Sequence, residues 1–163
     1  MAHSGSDAAV PQSTLPVLGV LPRDWRTIPF IDLLNGGTRT GIYKPKQFHG
    51  SGVKLINMGE LFAYPRLGNV PKRRLELTEQ ERGRFDVQVG DLLFARRSLV
   101  AEGAGKCSIV REVAEPTTFE SSIIRARPRQ DQADSDFLYY MFQSPYGSYA
   151  LGTIRRQVAV AGM

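Results

Sequence analysis

Two adjacent arginines and a serine, Arg96, Arg97 and Ser98, follow an apolar run and precede a glycine-rich segment that ends at Lys106. A guanidinium group donates hydrogen bonds in a planar fork, which fits a guanine edge or a phosphate. A cationic loop on a framework of buried strands suits a polyanion better than a small metabolite. The alternative is a surface salt bridge from this arginine pair, with Glu102 as the partner.

The segment 102–108 partly matches a phosphate-binding loop. That loop needs an earlier glycine, where Val100 stands, and a hydroxyl residue after the lysine, where Cys107 stands. We therefore interpret the segment as a turn between two strands, with Lys106 in solvent. Cys107 is the one cysteine of the sequence, so an intrachain disulfide is excluded, and its apolar neighbours favour core packing.

Other catalytic patterns are also missing from the sequence. No Asp or Glu has Lys two positions later, as the magnesium site of common restriction nucleases requires, and no Asn/Asp-Pro-Pro-aromatic motif of a DNA methyltransferase occurs. His3 and His49 are the two histidines, which argues against a two-histidine metal site or a Ser–His pair. We expect this chain to have no catalytic activity, metal or cofactor of its own.

The charge distribution favours a nucleic-acid partner. Lys and Arg number 21 against 16 Asp and Glu, a formal net charge of +5. Residues 39–54 and 66–74 carry Lys and Arg without any acid. The run 72–74 is of a kind that more often contacts phosphates, or keeps a loop soluble, than reads bases. Residues 76–84 alternate in charge, as a solvated helix face does.

Length and composition predict one globular domain. The 163 residues, with 42% hydrophobic and 23% charged residues, can bury one ordinary core. No apolar run approaches the roughly 18 residues that cross a bilayer. Residues 1–12 lack the features of a signal peptide, so we expect a cytoplasmic protein. Residues 1–20 predict a flexible leader and residues 21–163 a single domain.

Strand patterns occupy the middle of the chain and helix patterns follow them. We expect strands at 53–58, 91–96, 106–113 and 118–126, and a loop at 64–74. A short helix at 29–34 should end at Gly36 and Gly37, and a capping box at 78–81 should start another. Ser135 should cap a helix at 136–143, and Ser144 with Pro145 should begin a last one. This order predicts an α+β fold.

Several short motifs, in their order and spacing, resemble the target-recognition domain of the specificity subunit of type I restriction-modification systems. They extend from about residue 22 to residue 162. They are Leu-Pro-x-x-Trp at 21–25, Gly-Gly-Thr at 36–38, residues 52–58, residues 89–94, Ile-Ile-Arg-x-Arg-Pro at 123–128, residues 136–140 and residues 157–162.

The resemblance implies a twisted mixed β-sheet with peripheral short helices, and a role in host defence. In that family two recognition domains, separated by helical spacers, read the two halves of a DNA site. Methyltransferase subunits methylate adenine with S-adenosylmethionine, and a motor-nuclease subunit uses ATP and Mg. We expect this sequence to hold one such recognition domain, without the second domain and the spacer helix.

Three loops, at 38–46, 64–74 and 96–106, are therefore expected to approach double-stranded DNA. Arg96, Arg97 and Ser98 are our candidates for base edges, and the cations of the other two loops are candidates mainly for phosphates. The full set of candidates is Thr38, Arg39, Lys44, Lys46, Arg66, Lys72, Arg73, Arg74, Arg96, Arg97, Ser98 and Lys106.

An alternative function is an assembly or decoy module that docks a methyltransferase subunit and hardly binds DNA. Its surface would be the aromatic side chains near the end of the chain. Phe137, Tyr140 and Met141 share one face of the expected helix, and Tyr146 and Tyr149 follow. Core packing is the competing interpretation of these residues.

Overall fold

The computed structural model describes residues 14–71, 73–98 and 103–155. Within these ranges the chain forms ten strands, four α-helices and two 3-10 turns, the latter at Phe30–Leu33 and Lys46–Phe48. The strands are β1 Thr14–Leu15, β2 Gly19–Val20, β3 Leu34–Thr40, β4 His49–Ile56, β5 Arg66–Leu67, β6 Arg74–Leu75, β7 Leu92–Ala95, β8 Cys107–Val110, β9 Thr117–Phe119 and β10 Ile123–Pro128. The helices are α1 Met58–Ala63, α2 Glu79–Phe85, α3 Ser135–Gln143 and α4 Pro145–Ile154.

Five strands form a main sheet in the order β3-β10-β7-β8-β5, and three form a smaller sheet in the order β6-β4-β9. Most neighbours are antiparallel, whereas β5 with β8 and β4 with β9 are parallel. The predicted α+β architecture with mixed sheets is confirmed. No helix in the described ranges is long and apolar enough to cross a membrane.

The main sheet is covered on both faces. Along β7, Leu92 and Phe94 belong to an apolar cluster that includes α3, whereas Leu93 and Ala95 belong to a second cluster that includes α1 and β9. All four residues of β7 are buried, which is why the strand has an uninterrupted apolar sequence. Cys107 packs in the first cluster, as predicted, and burial raises the pKa of its thiol.

The single strand predicted at 118–126 is wrong. The segment contains β9, which pairs with β4 in the smaller sheet, and β10, which pairs with β3 and β7 in the main sheet. A turn at residues 120–122 separates them, closed by the Ile123 amide, which donates to the Glu120 carbonyl at 3.0 Å. The chain thus crosses from one sheet to the other within one apolar pattern.

The helix predicted at 29–34 is a 3-10 turn, and the two glycines do not cap it. Gly36 and Gly37 lie inside β3, each with φ of +73°. The register with β10 shifts there, because Thr38 lies opposite Ala126 and Leu34 opposite Pro128. The glycines therefore form a bulge in an edge strand, since glycine adopts positive φ without steric cost.

Residues 53–74 also differ from the prediction. The strand β4 ends at Ile56, and Asn57 begins α1 by accepting a hydrogen bond from the Gly59 amide at 2.8 Å. Glu60 accepts from the Asn57 amide at 3.1 Å and so completes a capping box. The loop predicted at 64–74 contains β5 and the first residue of β6, and these two short strands are edge strands of the main and the smaller sheet.

The other helices follow the sequence signals closely. Thr78 and Glu81 form the predicted capping box of α2, and Ser144 caps α4. The cap of α3 is Asp134 instead of Ser135, which is buried within the helix. Of the expected leader, residues 14–20 form the short β1–β2 ladder, and the remainder lies outside the described residues.

The aromatic face of α3 is exposed for the most part. Phe137 and Tyr140 are 62% and 53% exposed, and the competing interpretation of core packing is wrong for both. The helix buries Leu138 and Tyr139, with Met141 packed at the margin of the same cluster. The face of α3 that packs on the core is therefore displaced by about one residue from the face assigned by the helical period.

Candidate nucleic-acid interface

Two of the predicted loops meet at one end of the main sheet. Both β3 and β7 pair antiparallel with β10, which lies between them, so these two strands run in the same direction and end at the same end of the sheet. β8 begins at this end, where the Ala95 amide donates to the Lys106 carbonyl at 2.9 Å. We call this region the loop end; among the described residues it comprises 41–46, 96–98, 103–106 and 120–122.

The turn at 120–122 and the residues beside it hold the first residues of both loops. The amides of Gly41 and Ile42 donate to the carbonyls of Ile123 and Phe119 at 2.9 and 3.0 Å, and the Arg96 amide donates to the Ser122 carbonyl at 2.8 Å. A side chain at Gly41 would collide with the backbone of residues 119 and 120. Glycine is therefore needed for this close approach.

Arg96 and Arg97 follow the end of β7, and both are exposed. Nη1 of Arg96 lies 3.5 Å from the Ser121 carbonyl, whereas Arg97 has no hydrogen bond or ion pair within the described ranges. Glu102, the alternative partner, lies outside the described residues. Ser98 is half-buried, and a side chain at Gly103 would collide with it, so this serine lies against the opposite side of its own loop.

Lys106 is less free than the turn interpretation predicts. Its ammonium group donates to the Phe62 carbonyl at 2.7 Å and lies 5.1 Å from the centre of the Phe62 ring. The placement of Lys106 in solvent is therefore wrong. This lysine belongs to the loop end, but a backbone acceptor already uses one of its donors.

The loop after β3 carries cations in different states. Lys44 forms a salt bridge with Glu81 at 2.8 Å, and this hydrogen bond lowers the pKa of the Glu81 carboxyl. Lys46 is exposed and makes no ion pair within the described residues. Arg39 is half-buried in β3, directly opposite Arg125. Lys46 is thus the most available charge of this loop.

The cations predicted at 64–74 are not part of the loop end. Arg66 lies on β5, the opposite edge of the main sheet from β3, and donates to the hydroxyl of Tyr140. Arg74 lies on the smaller sheet and pairs with Glu115 at 2.9 Å. Arg73 is exposed without an ion pair in the described ranges, and Lys72 lies outside them.

Two carboxylates precede β7, towards the opposite end of the main sheet. Asp86 and Asp91 bind Arg125 and Arg127, and we call these four residues the Asp–Arg network. Asp91 is fully buried and accepts from Nε of Arg127 at 2.7 Å, while Asp86 accepts from Nη1 of Arg125 at 2.9 Å. The two arginines of the motif at 123–128 therefore stabilise the fold, because a buried charge needs such a partner.

An apolar cleft opens beside the loop end. It has a volume of about 710 Å³ and is lined by Phe30, Phe94 and Phe142, with Arg96 and Arg155 on its wall. The three phenylalanine rings pack edge to face, with centroids 4.9 to 6.3 Å apart. Across residues 14–71, 73–98 and 103–155, no group of three or more His, Cys, Asp or Glu side chains could hold a metal ion.

Sequence reasoning missed one prominent residue of the loop end, Tyr43. Its side chain is 78% exposed, more than that of any other large hydrophobic residue that the structure describes. A signal for it was present, because this tyrosine stands in the acid-free cationic segment 39–54, between a glycine and a proline.

Two solved structures share this fold. The HsdS subunit from Thermoanaerobacter tengcongensis aligns with a TM-score of 0.58 and 16% identity, over 84% of this chain and 31% of that chain. A chain from a structure on complex assembly and conformational transition of the type I R-M system aligns with a TM-score of 0.57 and 18% identity, over 82% and 30%. No protein-family model and no curated protein matches this sequence.

These alignments confirm, at the level of fold, the resemblance to the type I specificity subunit. The chain spans less than a third of the length of the two solved chains.

Proposed function

We propose that this chain recognises a specific double-stranded DNA sequence as a specificity subunit, or half-subunit, of a type I restriction-modification system. The observation that carries the proposal is the loop end, where hydrogen bonds hold the first residues of two loops that present exposed cations, on a fold shared with HsdS. Hydrogen-bond donors on a rigid scaffold suit sequence reading, because little conformational freedom is lost on binding.

The state of each cation suggests its role. Arg96 and Arg97 are the candidates for base edges, since both are exposed at the end of a buried strand. Lys46 and Arg73 would contact phosphates, with Arg39 and Lys72 as further candidates. Four other cations would contribute less to binding, because each already has a protein partner: Lys44, Arg66, Arg74 and Lys106. The remaining two candidates carry no charge and would help to position the loops: Thr38 and Ser98.

The chemistry of such a system would belong to partner subunits. A methyltransferase subunit would supply S-adenosylmethionine chemistry on adenine, and a motor-nuclease subunit would use ATP and Mg. This chain would carry no catalyst and act in the cytoplasm, and it would require a second recognition domain to read a complete two-part site. Residues 21–163 would form the recognition domain.

The test begins with selection of duplexes from a random-sequence library by the full chain. Binding of the selected duplex and a scrambled one is then compared for the wild type and Arg97→Ala. We expect Arg97→Ala to weaken binding to the selected duplex by about 1–3 kcal/mol and to change binding to the scrambled one far less. Equal losses on both duplexes would show that Arg97 does not read bases, and a library without enrichment would refute sequence recognition.

A second candidate function, the assembly or decoy module, is favoured by one observation. The exposed face of α3 presents Phe137 and Tyr140 to solvent, with Tyr149 of α4 also exposed. Exposed aromatic residues are common anchors of protein interfaces. The test is capture of a type I methyltransferase subunit by this chain in the absence of DNA. Capture that is lost in Phe137→Ser and retained in Arg97→Ala would support this candidate, provided that the library shows no enrichment.

A further inference from the structure

Tyr43 lies at the tip of the loop between β3 and β4, within the loop end. A single exposed aromatic residue is unremarkable in itself. This one differs because the backbone is fixed on both sides of it. On the amino-terminal side, Ile42 forms a bridge with Glu120, whose carboxylate accepts from the Met58 amide at 2.7 Å.

The carboxyl-terminal side of Tyr43 is held by side chains. Lys44 binds Glu81 at 2.8 Å, and its ammonium group lies 4.5 Å from the centre of the Phe48 ring. The Lys44 carbonyl is within hydrogen-bond distance of Nε2 of His49, at 3.1 Å. A tyrosine has two side-chain torsions, so a ring on a fixed backbone loses little conformational entropy when it binds.

The charge around Tyr43 indicates what the ring can contact. Its neighbour Lys44 is neutralised by Glu81, so the tip itself offers an aromatic surface more than a charge. Lys46 lies three residues away and is free to contact a phosphate, which would bring the tip against the duplex. The ring then meets the groove, where apolar contact with a base is available, including the methyl group of thymine.

We propose that Tyr43 is a specificity-determining residue that packs its ring against the edge of a base in a groove of the recognised duplex. This inference rests on the proposed function, and it adds a base contact of a kind that the arginines do not make. The contact is apolar, so it should be nearly independent of salt, whereas phosphate contacts release counterions and depend steeply on salt.

The experiment compares Tyr43→Ala, Tyr43→Phe and the wild type in the full chain. Each protein selects duplexes from the random library. The affinity of each protein for the duplex that the wild type selects is then measured from low to high salt. Tyr43→Ala is expected to bind about 5- to 150-fold more weakly with an unchanged salt slope, and to lose its preference at one or two adjacent base pairs. Tyr43→Phe should keep both the affinity and the preference, because the ring remains.

Val89→Ala is the matched control, since Val89 is also exposed and lies at the opposite end of the main sheet. It should leave selection and affinity unchanged, and thermal unfolding should be the same for all variants. A Tyr43→Ala profile identical to the wild type would overturn the inference while the proposed function stands. A weaker salt slope in Tyr43→Ala would also overturn it. A wild type that enriches no sequence would overturn both.

Discussion

The arginines at one end of the main sheet are paired with carboxylates, whereas the exposed cations at the other end are not. At one end, the Asp–Arg network pairs Arg125 and Arg127 with buried or half-buried carboxylates. At the loop end, Arg97 and Lys46 are exposed and form no ion pair in the part of the chain that the structure describes. A net charge of +5 does not separate these two groups. The position of the acidic partners does, and it leaves unpaired positive charge at the loop end, where we propose that DNA binds.

The largest effect should come from breaking the Asp–Arg network. Asp91→Ala removes the buried partner of Arg127, and we expect a loss of about 3–5 kcal/mol in the free energy of unfolding, measured with urea. The control is Asp136→Ala, which removes the exposed partner of Arg111 and should cost about 1 kcal/mol or less. Similar losses for both variants would mean that burial does not distinguish the two ion pairs.

A smaller effect should separate the cations of the β3–β4 loop. A plot of log affinity against log salt has a negative slope. Lys46→Ala should reduce the magnitude of this slope by about 1 for any duplex, because one phosphate contact is lost. Lys44→Ala should change the slope less, since Glu81 already neutralises Lys44. Glu81→Gln should free the charge of Lys44 for a phosphate and increase the magnitude of the slope. Equal slopes for Lys44→Ala and Lys46→Ala would contradict the distinction.

The smallest effect is expected in acid. Burial would raise the pKa of Asp86, but Arg127, Gln88 and Arg125 outweigh it, so the pKa lies below its ordinary value of 3.8. A carboxyl with a lowered pKa in the folded state stabilises the fold above its unfolded pKa, and this stability is lost as the pH falls through the folded pKa. Urea unfolding between about pH 5 and pH 2 should therefore show a shallower decline for Asp86→Asn than for the wild type. An unchanged decline would show that the carboxylate of Asp86 does not contribute to the loss of stability in acid.

Local signals predicted the parts of the fold that depend on neighbouring residues. The caps at Thr78 and Ser144 and the buried run of β7 were all found, because a cap or a covered strand leaves its pattern within a few residues. The helix α1 was missed although its capping box, Asn57 with Glu60, is equally local. That error came from extending the strand β4 by two residues, over Asn57 and Met58.

Candidate residues were harder to rank than elements. The loops at 38–46 and 96–106 were grouped only through the resemblance, because their proximity depends on both strands pairing with β10. The loop at 64–74 looked equally cationic, yet Arg66 and Arg74 have partners 74 and 41 residues away along the chain, in Tyr140 and Glu115. Charge counts within a window contain no information about such distant partners.

The order of residues was sufficient to predict an α+β chain with helix caps and a buried cysteine. These properties follow from periodicity and short-range hydrogen bonding, which act over a few positions. The crossing from β9 to β10, the meeting of two loops beside Tyr43 and the choice of which arginines are neutralised arose from pairing between distant strands. Long-range contacts assign these roles, because an arginine is free or paired according to the carboxylate that the folded backbone places next to it.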